Sequence, residues 1–234
     1  LMIPVGEAIE FPFGNPRWPY RLGIGGAISA LPVFSFTVLG SGIDLLSSSL
    51  ISAPLGLLYL LVWGYAFGVF RAAFHGEPAD LKGWENWREF LSQGFVVFII
   101  GLGYGLLPFL MMAMGIGILY RGGWWLFAGI LLLMLGMLAF VLVAFFFPMG
   151  IAQYIRWRRL EAAFHIPALW RAIRPVLVEY VSAFLLFLVT LLALGLVAAI
   201  PLAGPTLAFF LGFYPTLVLA RLFGGVCASS GAEA

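Results

Sequence analysis

Charge is what this chain has least of. Asp, Glu, Lys and Arg together make up 9% of its 234 residues, where a soluble domain carries roughly 25%. So few charges cannot cover a water-facing surface, so most of that surface must face lipid. There is a single cysteine, Cys227. That excludes an intrachain disulfide and any cysteine-based metal site. The formal net charge of +2 is too small to argue for nucleic acid. The first residues, Leu1-Met2-Ile3-Pro4, lack a basic region followed by an apolar core and a small-residue cleavage site. They do not read as a secretory signal.

What is abundant points the same way. Hydrophobic residues reach 63%, with 23 Phe and 8 Trp. The 29 Gly and 14 Pro suit membrane helices, where neighbouring helices satisfy the freed backbone groups. A span needs about 20 apolar residues. The apolar runs predict an all-α polytopic protein, one membrane domain over 1–234, with six spans at about 22–43, 47–70, 93–119, 124–152, 180–200 and 206–223. Pro108 is expected to kink the third. Residues 1–20 mix Glu7, Glu10 and Arg17 with Phe11, Phe13, Trp18 and Tyr20, which suits a short interfacial segment. The tail from Cys227 to Ala234 is small and polar, and is expected to fray.

Six spans put the N-terminus, the 71–92 loop, the 153–179 loop and the C-terminus on one side. That side holds Lys82 and ten of the eleven arginines, and the other holds only Arg121. The positive-inside rule then makes both termini cytoplasmic. In a prokaryote the membrane is the inner one.

An echo runs through the chain. Ala72-Ala73-Phe74-His75 returns as Ala162-Ala163-Phe164-His165, and at the same offset Glu89 meets Glu179 and Gly105 meets Gly195. The second and fourth spans run in the same direction. The echo therefore implies a parallel internal repeat about an axis along the membrane normal, against the plain alternative of coincidence in an Ala- and Phe-rich chain.

The two polar stretches carry the candidate contacts. Trp84 and Trp87 lie three apart, one helical face, followed by Arg88. In 153–179, apolar positions recur at helical spacing between Arg156, Arg158, Arg159, Arg171 and Arg174, with Trp170 among them. Pro167 and Pro175 break this stretch into short helices. Basic amphipathic helices of this kind lie on an anionic leaflet, each Arg contributing about 1 kcal/mol near the surface. These nine residues are candidate contacts for a soluble partner or a lipid headgroup. Simple anchoring and topology control is the plainer account.

The only histidines, His75 and His165, have no partner spacing of the HExxH or clustered-carboxylate kind. No metal, cofactor or catalytic residue is expected. Glu89 and Glu179 each precede a span, where a carboxylate favours the positive end of the helix dipole. No ionisable residue falls near the middle of any expected span, and Asp44 sits at an outer end. Ion-coupled pumps and intramembrane hydrolases need such groups at depth, so an enzyme or an ion-driven pump is not expected. Gly64-x-x-x-Gly68 and Gly101-x-x-x-Gly105 fit close helix–helix approach.

Residues 64–94, GYAFGVFRAAFHGEPADLKGWENWREFLSQG, join a Gly-Tyr helix end, an Arg, a Gly-Glu, a Trp-x-x-Trp and a terminal Gly. This segment resembles the domain-of-unknown-function 4013 family of prokaryotic polytopic membrane proteins. So does Glu7-Ala8-Ile9-Glu10-Phe11-Pro12-Phe13 followed by Trp18 and the Gly-rich first span. The chain has fewer acidic residues around 76–90 than that family's pattern. The resemblance implies six helices and no assigned activity. The expected role is a non-enzymatic membrane subunit or scaffold that packs against lipid, pigment or other membrane subunits and offers its basic loops for docking. A permease-like protein for a neutral or lipidic solute is the alternative.

Overall fold

The computed structural model describes residues 5–40, 54–78 and 80–230, with the backbone alone for 38–40. Parts of the first two expected spans, with Asp44 and Ser47–Ser49, lie outside the described residues. So do Leu1 to Pro4 and the last four residues of the tail.

The fold is all-α, with no strand among the described residues. The helices are α1 (Val5–Glu10), α2 (Trp18–Gly40), α3 (Tyr59–Phe74), α4 (Trp87–Leu119), α5 (Trp125–Trp157), α6 (Ile166–Ile173), α7 (Leu177–Ala198) and α8 (Gly204–Ser229). Helices dominate because lipid supplies no hydrogen-bond partners, so each backbone N–H must find its carbonyl within the segment. Five helical stretches among the described residues are long and apolar enough to cross a membrane: Pro54–Phe74, Trp84–Leu119, Trp125–Trp157, Ile166–Ala198 and Gly204–Ser229. The protein is therefore an integral membrane protein. α2 covers most of the first expected span, but Arg21 and a run of glycines dilute its apolar character, and it is not among the five. α4 and α5, at 33 residues each, are about 50 Å long. That exceeds the roughly 30 Å hydrocarbon core of a bilayer.

By internal contacts the chain forms two compact units, residues 1–97 with 173–234, and 98–172. α4 runs from the first into the second. In the first unit α8 is the central helix, packed on α2, α3 and α7. Small residues let it approach. A Cβ at Gly25 would meet the Phe213 ring, one at Gly26 the Phe210 ring, and one at Gly224 the Phe70 carbonyl. α1 lies against α8, and the Tyr214 hydroxyl donates to the Ile9 carbonyl at 2.9 Å. The tail does not fray at Cys227. α8 continues to Ser229 and Cys227 is fully buried, because Gly224 packs closely on Phe70 and Ala73 of α3 and holds the end of the helix in place.

The second unit contains an antiparallel hairpin of α5 with the later part of α4. Gly122 and Gly123, at φ +68° and +61°, make its turn, conformations that glycine alone adopts without strain. Its seam is Gly115 against Leu133 and Gly129, and Gly136 against Met112. The 3₁₀ turn Leu160–Phe164 folds back on α5. There the Tyr104 hydroxyl donates to the Ala163 carbonyl, and the Phe164 ring covers Gly103. Arg158 ends α5 in the left-handed region, at φ 54°, which costs a side-chain-bearing residue on the order of 1 kcal/mol. Arg158→Gly should therefore raise the thermal midpoint by a few degrees. A lowered midpoint would mean that the Arg158 side chain contributes more than its backbone strain costs.

Candidate functional site

The polar chemistry of the first unit gathers around the 80–90 segment. That segment returns from α3 to α4 across the start of α2. An aromatic cluster holds it. Trp84 stacks on Tyr65 with centroids 4.6 Å apart and lies against Phe90 and Phe213. Two hydrogen bonds lock the cluster to backbone: Tyr65 Oη donates to the Lys82 carbonyl at 2.8 Å, and Trp84 Nε1 to the Arg21 carbonyl at 3.1 Å. Leu81, fully buried, immediately precedes the first of these anchors in sequence.

Asp80 is then placed where two segments meet. Asn15 Nδ2 donates to its Oδ1 at 2.8 Å, and Arg21 Nη1 lies 3.7 Å from the same oxygen. Arg21 Nη1 is buried and has no hydrogen-bond partner among the described residues. A second network joins α3 to α4. Arg71 Nη2 reaches Glu89 Oε1 at 3.2 Å, and Gln93 Nε2 donates to the same oxygen at 2.6 Å. The buried Gln93 Oε1 has no partner among the described residues.

Between these networks lies a small open cleft. Phe11, Tyr65, Val69 and Phe90 form its apolar walls, and Asp80, Lys82 and Arg221 its polar edge. Arg221 comes from α8 and lies over the Phe11 ring, 5.3 Å from its centroid.

The nine candidate contact residues separate. Trp84 and Trp87 do not share a face, because a 3₁₀ turn at Trp84–Asn86 precedes α4. Trp84 turns into the aromatic cluster, while Trp87 stays exposed under the Arg88 guanidinium, 5.4 Å away. Arg156, Arg158 and Arg159 are exposed around the end of α5. On α6, Leu169 and Ile173 are fully buried, while Trp170 and Arg171 are exposed. Arg171 Nε donates to the Pro167 carbonyl at 3.3 Å. Arg174 is exposed in the 3₁₀ turn that follows.

The four candidate packing glycines also differ. Gly64 lies directly on the backbone of Phe90, and Gly94 reciprocally on that of Leu60, so α3 and α4 cross in contact there. Gly68 and Gly101 meet only ordinary van der Waals neighbours, and a Cβ at Gly105 would meet nothing within 4 Å. Gly94 enters the sequence reading only as the terminal Gly of the 64–94 segment, and Gly115, Gly129 and Gly136 stand outside any Gly-x-x-x-Gly considered there. The seven-residue spacing of Gly129 and Gly136 was the available signal.

His75 and His165 are both exposed, and the described residues hold no group of three His, Cys, Asp or Glu placed to bind a metal. The two Ala-Ala-Phe-His stretches differ in backbone: the first ends α3, the second is a 3₁₀ turn. Glu89 and Glu179 do both lie in the first turn of a helix, α4 and α7.

These features define a polytopic α-helical membrane protein whose polar residues collect at helix ends and connecting segments. More particularly, the model of the family described as protein of unknown function DUF4013 matches residues 47–203, well over half of the chain, and the chain belongs to that family. No curated protein and no solved structure matches it.

Proposed function

We propose that this chain is a non-enzymatic subunit or scaffold of a prokaryotic inner membrane. In this reading it has six spans with both termini cytoplasmic, and it packs against other membrane subunits and presents its basic segments to them. The observation that carries the reading is α5. It is the most apolar of the membrane-crossing helices, and almost none of its most apolar stretch is buried within the chain. Phe127, Met134, Met137 and Leu138 are each more than half exposed along it. A face of that size needs lipid or a partner helix against it, and flexible Met and Leu side chains suit a partner of irregular shape. Gentle extraction from native membrane should retain a stoichiometric membrane partner. A clean monomer carrying lipid alone would count against the subunit reading.

The orientation has its own test. Buried Cys227 cannot report it, so the reporter must be introduced at an exposed position. Glu77→Cys should react with an impermeant thiol reagent only after the membrane is opened, and Arg121→Cys should react in intact cells. The reverse pattern would overturn the topology.

A permease for a neutral or lipidic solute is the second reading. Its support is that Pro32, Pro108 and Pro148 lie inside helices, each removing one backbone hydrogen bond at a possible gate. Accelerated movement of a lipid or apolar solute into reconstituted vesicles would establish it, and the absence of any across a broad panel would remove it.

A further inference from the structure

α5 marks where the bilayer ends. Apart from its glycine seam, it is mostly exposed from Trp125 to Leu142, half-buried from Val143 to Pro148, and buried from Met149 to Gln153. Trp125 to Leu142 is about 26 Å of helix and Trp125 to Pro148 about 35 Å, which bracket the roughly 30 Å hydrocarbon core. Tyr120, Trp124 and Trp125 are exposed around the hairpin turn at the far boundary, where aromatic rings favour the headgroup level. The end of α5 beyond Pro148 therefore stands at the near boundary. There the chain folds back along α5 after Trp157. A Cβ at Gly150 would meet the Ala163 carbonyl, and Phe164 covers Gly103. Residues 156–171 are thereby held along the membrane boundary. Within them Arg156, Arg158, Arg159 and Arg171 are exposed, against one carboxylate, Glu161. Arg158, Arg159 and Arg171 have no ion pair among the described residues. Exposed Trp157, Leu160, Ile166 and Trp170 lie among them. α6 buries Leu169 within the protein, so it does not sink its apolar side into lipid as a free amphipathic helix would. What it leaves outward includes Trp170 and Arg171.

We propose that this surface binds the headgroups of anionic phospholipids, which gather around it in the leaflet. Charge complementarity selects them, because a face with four arginines and one glutamate attracts an anionic membrane surface. The tryptophans and aliphatic residues between the arginines suit a boundary that is apolar on one side and charged on the other. No shared pocket is required. Each guanidinium takes the phosphate beside it, to which its planar fork donates two parallel hydrogen bonds. The proposal narrows the reading above for this segment alone, leaving residues 71–92 and the exposed face of α5 to other subunits. It rests on α5 crossing the membrane and not on the chain being a subunit.

The test uses the full chain, purified, in nanodiscs of phosphatidylglycerol and phosphatidylcholine in equal parts. A fluorophore is placed on Leu160→Cys, since Cys227 is buried, and one lipid or the other carries bromine, a short-range quencher. Brominated phosphatidylglycerol should quench about twofold more than brominated phosphatidylcholine, a modest share of the attraction that several cations near an anionic surface supply. The excess should vanish when Arg158→Gln, Arg159→Gln and Arg171→Gln are combined, and persist when the same three are replaced by Lys. It should also fall at about 1 M salt, where the screening length is about 3 Å. If the triple variant does not fold, Arg159→Gln with Arg171→Gln should remove most of the excess. A reporter at Ile200→Cys, in the charge-free turn between α7 and α8, should show none. Equal quenching by the two lipids at Leu160→Cys would overturn the proposal, as would glutamine variants that keep the full excess. Quenching by neither lipid would overturn it too, and would give this face to water or to a protein. The subunit reading stands or falls separately, on the partner retained from native membrane.

Discussion

Gly64→Leu is expected to prevent the protein from surviving extraction as a single folded species. Gly64 on α3 lies against the backbone of Phe90, and Gly94 on α4 against that of Leu60. Any side chain placed there meets a carbonyl oxygen of the facing helix. A flexible neighbour could rotate away, but a helix backbone can only translate. Overpacking against mobile side chains costs about 1–3 kcal/mol, and here the whole crossing must open, so about 3 kcal/mol or more is expected. Much of a membrane protein's packing energy comes from such close approaches, because lipid offers no hydrophobic reward for bringing helices together. Gly94→Leu should behave alike, since the two glycines form one crossing. Gly105→Leu is the control, because no atom lies within 4 Å of a Cβ there. Fluorescence-detected size exclusion after graded heating reads all three. A Gly64→Leu protein that melts with the wild type would show that α3 and α4 do not cross as described.

The second large effect is expected at Trp84. Removing its indole empties the space between Tyr65, Phe90 and Phe213 and frees the Arg21 carbonyl. Truncating a packed Trp to Ala costs about 3–5 kcal/mol, and partial exposure puts Trp84 at the low end. Trp87→Ala, three residues on and exposed, should change stability by less than about 0.5 kcal/mol. The pair thus separates a core residue from a surface one within a single Trp-x-x-Trp. Trp84→Phe should recover most of the loss, leaving a deficit of about 1 kcal/mol for the missing N–H donor. Equal melting temperatures for Trp84→Ala and Trp87→Ala would contradict the inward placement of Trp84.

Composition and hydropathy determined a great deal. An apolar chain with 9% charge can bury its backbone in lipid only as helices or a closed barrel, and continuous apolar runs of about 20 residues select helices, so the all-α class and the polar segments between the runs followed from sequence. So did the acidic first turns at Glu89 and Glu179, because these depend on local dipoles. Family membership was legible too, in the residues of the 64–94 segment.

What sequence could not settle was which of many equivalent residues meets which. With 29 glycines, a Gly-x-x-x-Gly pattern marks helices that can approach, but crossing points depend on how whole helices rotate against each other. Gly64 therefore pairs with Gly94, while Gly105 faces open space. A Trp-x-x-Trp has one face only if the helix already runs through it, and the 3₁₀ turn sends the two rings apart. The same holds for Arg221. Its place at the end of α8 or two turns inside that helix depended on whether Gly224 to Ser229 continued as helix. Tertiary packing of Gly224 against Phe70 and Ala73 decided that, because glycine and small polar residues have little helical preference until a neighbouring helix covers them.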